Sequence, residues 1–217
     1  TVAKAGGLAP IVWSGFGKIL AFIVISPLVG FLFGGLLMVA VAWIFRNKTP
    51  YEVSGVFRGG QLLAAAAYSL GHGGNDAQKT IGIIWLLMIT AGASTSDVKT
   101  LPMWVVYACY GAIAWGTYLG GWRIVKTMGS KITRLNSVSG SCASMGGALS
   151  LALATWGGVP VSTTHTITGA IVGVGTAQDV KAVRWAMTFN LVVAWVLTIP
   201  ASGLIAAIFW YVGRSFL

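Results

Sequence analysis

The stretch Gly71-His72-Gly73-Gly74-Asn75-Asp76-Ala77-Gln78-Lys79 lies inside apolar sequence. Gln61-Leu62-Leu63-Ala64-Ala65-Ala66-Ala67-Tyr68 precedes it and Ile81-Gly82-Ile83-Ile84-Trp85-Leu86-Leu87-Met88 follows it. A carboxylate, a lysine, two amides and a histidine at membrane depth are expensive, at least about 2.5 kcal/mol per charge on insertion scales. Such a cluster persists only where it faces protein or water, which makes it a candidate functional site by default. The glycines around His72 predict an interrupted helix, with backbone donors and acceptors released to a ligand. On this reading a half-helix ends near Gly71 and a spanning helix starts near Asp76. Asp76 then sits in a first turn, where the helix dipole stabilises a carboxylate, or where free N–H groups hold an anion.

Composition agrees with a membrane setting. Of 217 residues 56% are hydrophobic and 8% charged, against about 25% charged in soluble domains. An all-α integral membrane protein, one helical bundle over 1–217, is expected. The formal net charge of +10 comes from bases between apolar segments, the pattern of cytoplasmic loops beside anionic membrane lipid rather than of a nucleic-acid face. Cys109 and Cys142 lack metal-type spacing and form no disulfide framework, so buried free thiols are expected and no metal site. The chain opens at Thr1 without a signal segment and reads as the later part of a longer protein.

Apolar segments cover about 11–45, 60–92, 102–122, 139–176 and 183–209. Pro27 and the glycines Gly30, Gly34 and Gly35 permit a kink in the first, and Gly30-x-x-x-Gly34 permits close helix approach. A polar connection, 46–58, follows. The loop holding Arg123, Lys126, Lys131 and Arg134 has four bases and no acid and marks the cytoplasmic side. Segment 139–176 carries a second interruption, Gly157-Gly158-Val159-Pro160-Val161-Ser162-Thr163-Thr164-His165. Two discontinuous helices, re-entrant or broken, are therefore expected, the pattern of secondary transporters.

The first motif offers Asn75 and Gln78 as hydrogen-bonding groups and Asp76 as a charge that holds Na⁺ or carries a proton. Lys79 either neutralises Asp76 or faces a substrate anion; a structural Asp76–Lys79 pair in a kinked helix is the plainer alternative. His72 is a proton carrier or a histidine bonded to a nearby carbonyl. In the second motif, Ser162, Thr163 and Thr164 present three hydroxyls at a proline break. With helix N-terminal amides they suit a tetrahedral oxyanion, unless they bond back to carbonyls of their own helix. An intramembrane hydrolase using Ser162 or Thr163 with His165 lacks a third member.

Gly71-His72-Gly73-Gly74-Asn75-Asp76-Ala77-Gln78-Lys79-Thr80 and Pro160-Val161-Ser162-Thr163-Thr164-His165 closely resemble the two signatures of the inorganic phosphate transporter (PiT) family. Gly116-Thr117-Tyr118-Leu119-Gly120-Gly121-Trp122-Arg123, Val183-Arg184-Trp185 and Ala194-Trp195 resemble it too, above all its bacterial low-affinity branch. The resemblance spans essentially the whole chain. It implies one of two inverted repeats, the C-terminal half of a symporter in the bacterial inner membrane, and no enzyme. It also implies transport of inorganic phosphate, alone or as a neutral metal–phosphate complex, driven by H⁺ or Na⁺ without a resident cofactor. Asn75, Gln78, Ser162, Thr163 and Thr164 are then expected at phosphate, and Asp76, His72, Lys79 and His165 at cation or proton coupling. Two departures stand out. Only the later repeat is recognisable, so the chain pairs with an N-terminal half or a second copy, or remains a transport-incompetent binding module. Ser144 stands where the family usually has a glutamate, and Gly59-Gly60 where it tends to have bulkier or basic residues.

Overall fold

The computed structural model describes residues 11–97, 99 and 101–214. Every regular element among them is helical. The α-helices are α1 (Trp13–Ile44), α2 (Pro50–Thr90), α3 (Met103–Thr127), α4 (Ser137–Trp156), α5 (Thr163–Gln178) and α6 (Trp185–Gly213). A π-helical turn, Met128–Ile132, follows α3, and a 3₁₀ turn, Val180–Ala182, follows α5. Helices α1, α4 and α6 are long and apolar enough to cross a membrane. The described residues group into two compact units, one of 11–21 with 184–214 and one within 22–183. In the first, α6 is apolar along its length with no buried residue, as a lipid-facing helix requires.

The first expected interruption is not there. Helix α2 runs unbroken for 41 residues through the glycine-rich motif, which corrects both the half-helix ending near Gly71 and the helix start near Asp76. Asp76 lies deep inside a helix, so neither a first-turn dipole nor free amides act on it. The physical reason is a comparison of costs. A glycine in a helix costs about 1 kcal/mol relative to alanine, whereas each backbone group left unpaired in an apolar medium costs several. Gly71 has a packing role instead: a Cβ there would stand 3.3 Å from Leu151 Cβ on α4. Helix α2 also starts inside the polar connection expected at 46–58. Thr49 caps it, with Thr49 and Glu52 bonded reciprocally and Pro50 at the first helical position, a stop-start signal that the sequence carries openly.

The second interruption separates α4 from α5. Gly157 N–H donates to Leu153 O, Gly158 N–H to Thr155 O and Val159 N–H to Ala154 O. Gly158 has φ +62, so this is a glycine-terminated helix end with the left-handed residue that closes the last carbonyls. Pro160 cannot continue a helix. Ser162 then caps α5, its hydroxyl accepting from the His165 N–H at 3.4 Å.

Helix α5 is the most enclosed part of the unit formed by 22–183: Thr163, His165, Thr166 and the run from Thr168 to Gly175 are all buried. Helix α1 lies against it backbone to backbone. A Cβ on Gly30 would collide with the carbonyl of Thr166, one on Gly34 with that of Ala170, one on Gly169 with that of Pro27 and one on Gly173 with that of Phe31. The Gly30-x-x-x-Gly34 spacing thus has its counterpart in Gly169-x-x-x-Gly173. Pro27 sits within α1 and has no N–H for the carbonyl four residues earlier, that of Ile23. His165 is hydrogen-bonded to the backbone of Ile23 and so satisfies the group that the proline releases. Helix α2 packs most extensively on α4. Ala77 and Ile81 of α2 form a core with Val105 and Cys109 of α3.

Candidate functional site

Tyr68, His72, Asp76 and Lys79 follow one another at helical spacing and share a face of α2. Asp76 is their centre. Its Oδ2 lies 3.0 Å from His72 Nε2 and accepts from Thr163 Oγ1 at 3.0 Å. Its Oδ1 accepts from Lys79 Nζ at 3.0 Å. Lys79 Nζ donates as well to the Val161 carbonyl at 2.9 Å, and Tyr68 OH donates to the Thr163 carbonyl at 3.1 Å. The Tyr68 and His72 rings stack at a centroid distance of 6.0 Å. Two sequence-distant pieces, the middle of α2 and the entry to α5, are thereby joined around one carboxylate.

Each contact has a local cause. The Val161 carbonyl is available because the chain between α4 and α5 is not helical there. Thr163 opens α5 and is 3% exposed, so its hydroxyl meets the carboxylate inside protein. Gly147 on α4 makes room for the tyrosine: a Cβ there would lie 3.0 Å from Tyr68 Cδ2 and Cε2. The carboxylate itself is 32% exposed, with Lys79 at 48%, so the cluster is reachable from outside while pinned from within. Chemically it is a charge-assisted network that can take up a cation or present a cation and hydroxyl to an anion.

The other expected site residues lie elsewhere or are differently engaged. Asn75 is partly buried beside Asp76, its Oδ1 enclosed without a hydrogen-bond partner. Gln78 and Thr164 point outward as exposed side chains. Ser162 is spent on capping α5, so the three hydroxyls do not converge and only Thr163 faces α2. His165 is turned to Ile23 rather than to the Asp76 cluster, and Ser162 Oγ meets the His165 main chain rather than its ring. That arrangement leaves no serine–histidine pair for a hydrolase. Ser144 is partly buried in α4. Cys109 and Cys142 are buried free thiols, and among the described residues no group of His, Cys, Asp or Glu is placed to hold a metal.

Tyr68 and the Val161 carbonyl were not candidates from sequence. The four-residue steps from Tyr68 to His72 and from His72 to Asp76 were the available signal for the tyrosine, and the presumed break at Gly71 concealed it. Main-chain acceptors leave no such trace in a sequence.

Comparison with known proteins identifies relatives of the chain. A probable low-affinity inorganic phosphate transporter of Rhizobium meliloti is 55% identical over 205 residues, 94% of this chain and 61% of that protein. One of Bacillus subtilis is 39% identical, over 96% of this chain and 62% of that protein. The chain thus spans about three fifths of the length of these curated relatives. A solved structure described as the sodium-dependent phosphate transporter superposes with a TM-score of 0.85 over the whole of this chain and 70% of its own, at 21% identity; this likeness concerns the fold. The family is one of transporters, not enzymes. Residues 1–206 match it, and the chain is an integral membrane protein that belongs to the phosphate transporter family.

Proposed function

We propose that this chain is part of a secondary active transporter that carries inorganic phosphate, free or as a metal–phosphate complex, across the bacterial inner membrane with H⁺ or Na⁺. The single observation that carries the reading is the Asp76 carboxylate bonded to Thr163 Oγ1 at 3.0 Å. It links the α2 motif to the opening turn of α5, where helix N-terminal N–H groups suit an oxyanion. Asn75 and Thr163 are the groups nearest to a phosphate held there, with Gln78 and Thr164 as exposed residues on the same two segments. Asp76, His72 and Lys79 are the groups for the coupling ion. No resident cofactor is required.

Radiolabelled phosphate uptake into proteoliposomes tests this. Uptake that arsenate suppresses is expected, since arsenate matches phosphate in shape and charge; an arsenate-insensitive flux would count against a phosphate site.

A second reading rests on the chain spanning only about three fifths of its relatives. Residues 1–217 then bind phosphate without moving it, and an N-terminal repeat or a second copy supplies the rest of an alternating-access machine. Robust uptake by these residues as a monomer would rule that out.

A further inference from the structure

The Lys79 ammonium sits between two oxygens of different segments. Asp76 Oδ1 faces it at 3.0 Å and the Val161 carbonyl at 2.9 Å. A carboxylate and a main-chain carbonyl released at a helix interruption are the oxygens with which membrane transporters hold a coupling cation. Here the chain fills that place itself, with an ammonium borne three residues after Asp76. The remaining carboxylate oxygen is engaged by His72 Nε2 at 3.0 Å and Thr163 Oγ1 at 3.0 Å. Both oxygens therefore have partners before any ion arrives, and a second positive charge entering between Asp76 and Val161 has to displace the first.

Resting on the phosphate-transport reading, we propose that Lys79 is a resident cation. Its ammonium supplies, between the α2 carboxylate and the α4–α5 interruption, the charge that soluble Na⁺ would otherwise supply. Phosphate uptake by this protein is then independent of Na⁺, and removal of the ammonium exposes a Na⁺ site made of Asp76 and the Val161 carbonyl. A merely structural ion pair between Asp76 and Lys79 has no such consequence: its loss weakens the fold but does not create a new ion requirement. A lysine that binds phosphate directly predicts loss of affinity that Na⁺ does not repair.

The test compares the protein as the cell makes it with Lys79→Gln and Lys79→Arg in liposomes, at one pH and ionic strength, in sodium or choline chloride. The native protein is expected to take up phosphate equally in both salts. Lys79→Gln is expected to fall about tenfold or more in choline, as loss of a charge-assisted contact implies, and to recover in sodium. Lys79→Arg keeps a tethered charge and is expected to be indifferent to Na⁺ whatever its rate. A thermal-shift comparison in detergent reads the same property without transport: only Lys79→Gln gains stability from Na⁺. A native protein that needs Na⁺, or a Lys79→Gln variant that Na⁺ neither activates nor stabilises, overturns the proposal. Absence of phosphate uptake by the native protein in either salt would instead sink the transport reading, and the thermal shift would still decide the role of Lys79.

Discussion

Asp76 collects partners that stand far apart in the chain: Thr163 is 87 residues away and Val161 is reached through a lysine contact spanning 82. Hydrogen bonds to charged groups are worth about 1.5–3 kcal/mol, so the Thr163 hydroxyl is a sensitive point. Thr163→Val is expected to weaken apparent phosphate affinity by about tenfold or more, with Thr163→Ser recovering most of the loss. Equal KM values for the two variants would show that the hydroxyl is idle. Tyr68→Phe keeps the ring on His72 but removes the bond to the Thr163 carbonyl, and a smaller rise in KM, about two- to tenfold, is expected for one neutral hydrogen bond. At this scale much was legible. A carboxylate, lysine and histidine in apolar sequence announce themselves by their cost. What stayed hidden was the disposition of the hydroxyls, because Ser162, Thr163 and Thr164 are adjacent yet differ by about a third of a helical turn. One caps, one faces α2 and one points outward.

Glycine means different things in different helices. At Gly157 and Gly158 it ends a helix, at Gly71 it admits a leucine, and on α1 and α5 it removes the side chains between two backbones. Membrane helices associate through such packing because lipid provides no hydrophobic drive. Gly173→Leu should therefore force α5 away from the carbonyl of Phe31, costing about 1–3 kcal/mol or more. A fall in Tm of about 2–12 °C is expected for a chain of this size. Gly111 on α3 has nothing near its Cβ position, and Gly111→Ala should leave Tm unchanged or raise it, as alanine favours a helix by about 1 kcal/mol. Similar melting temperatures for the two variants would contradict the close α1–α5 contact. The apolar character of α1, α4 and α6, the end of α4 and the Gly30-x-x-x-Gly34 approach were readable from period and composition. The continuity of α2 was not, since three glycines within four residues look like a break until the pairing of every backbone group inside an apolar medium is counted.

For the whole molecule, the described helices bring one carboxylate-centred site together within residues 22–183, in a chain about three fifths as long as its relatives. Sequence pattern gave the membrane class and the family resemblance. It did not give the two compact units, because long-range contacts between helices carry no periodic signature. Asp76 joins the α2 motif to the α4–α5 interruption, and on the transport reading proposed above these are the parts that would move against one another. The measurement that tests this account most directly is radiolabelled phosphate uptake by the native protein and by Asp76→Asn, at matched amounts in the membrane. Uptake by the native protein and none by Asp76→Asn, with insertion and folding of the variant intact, is the predicted result. Native-level uptake by Asp76→Asn would contradict it.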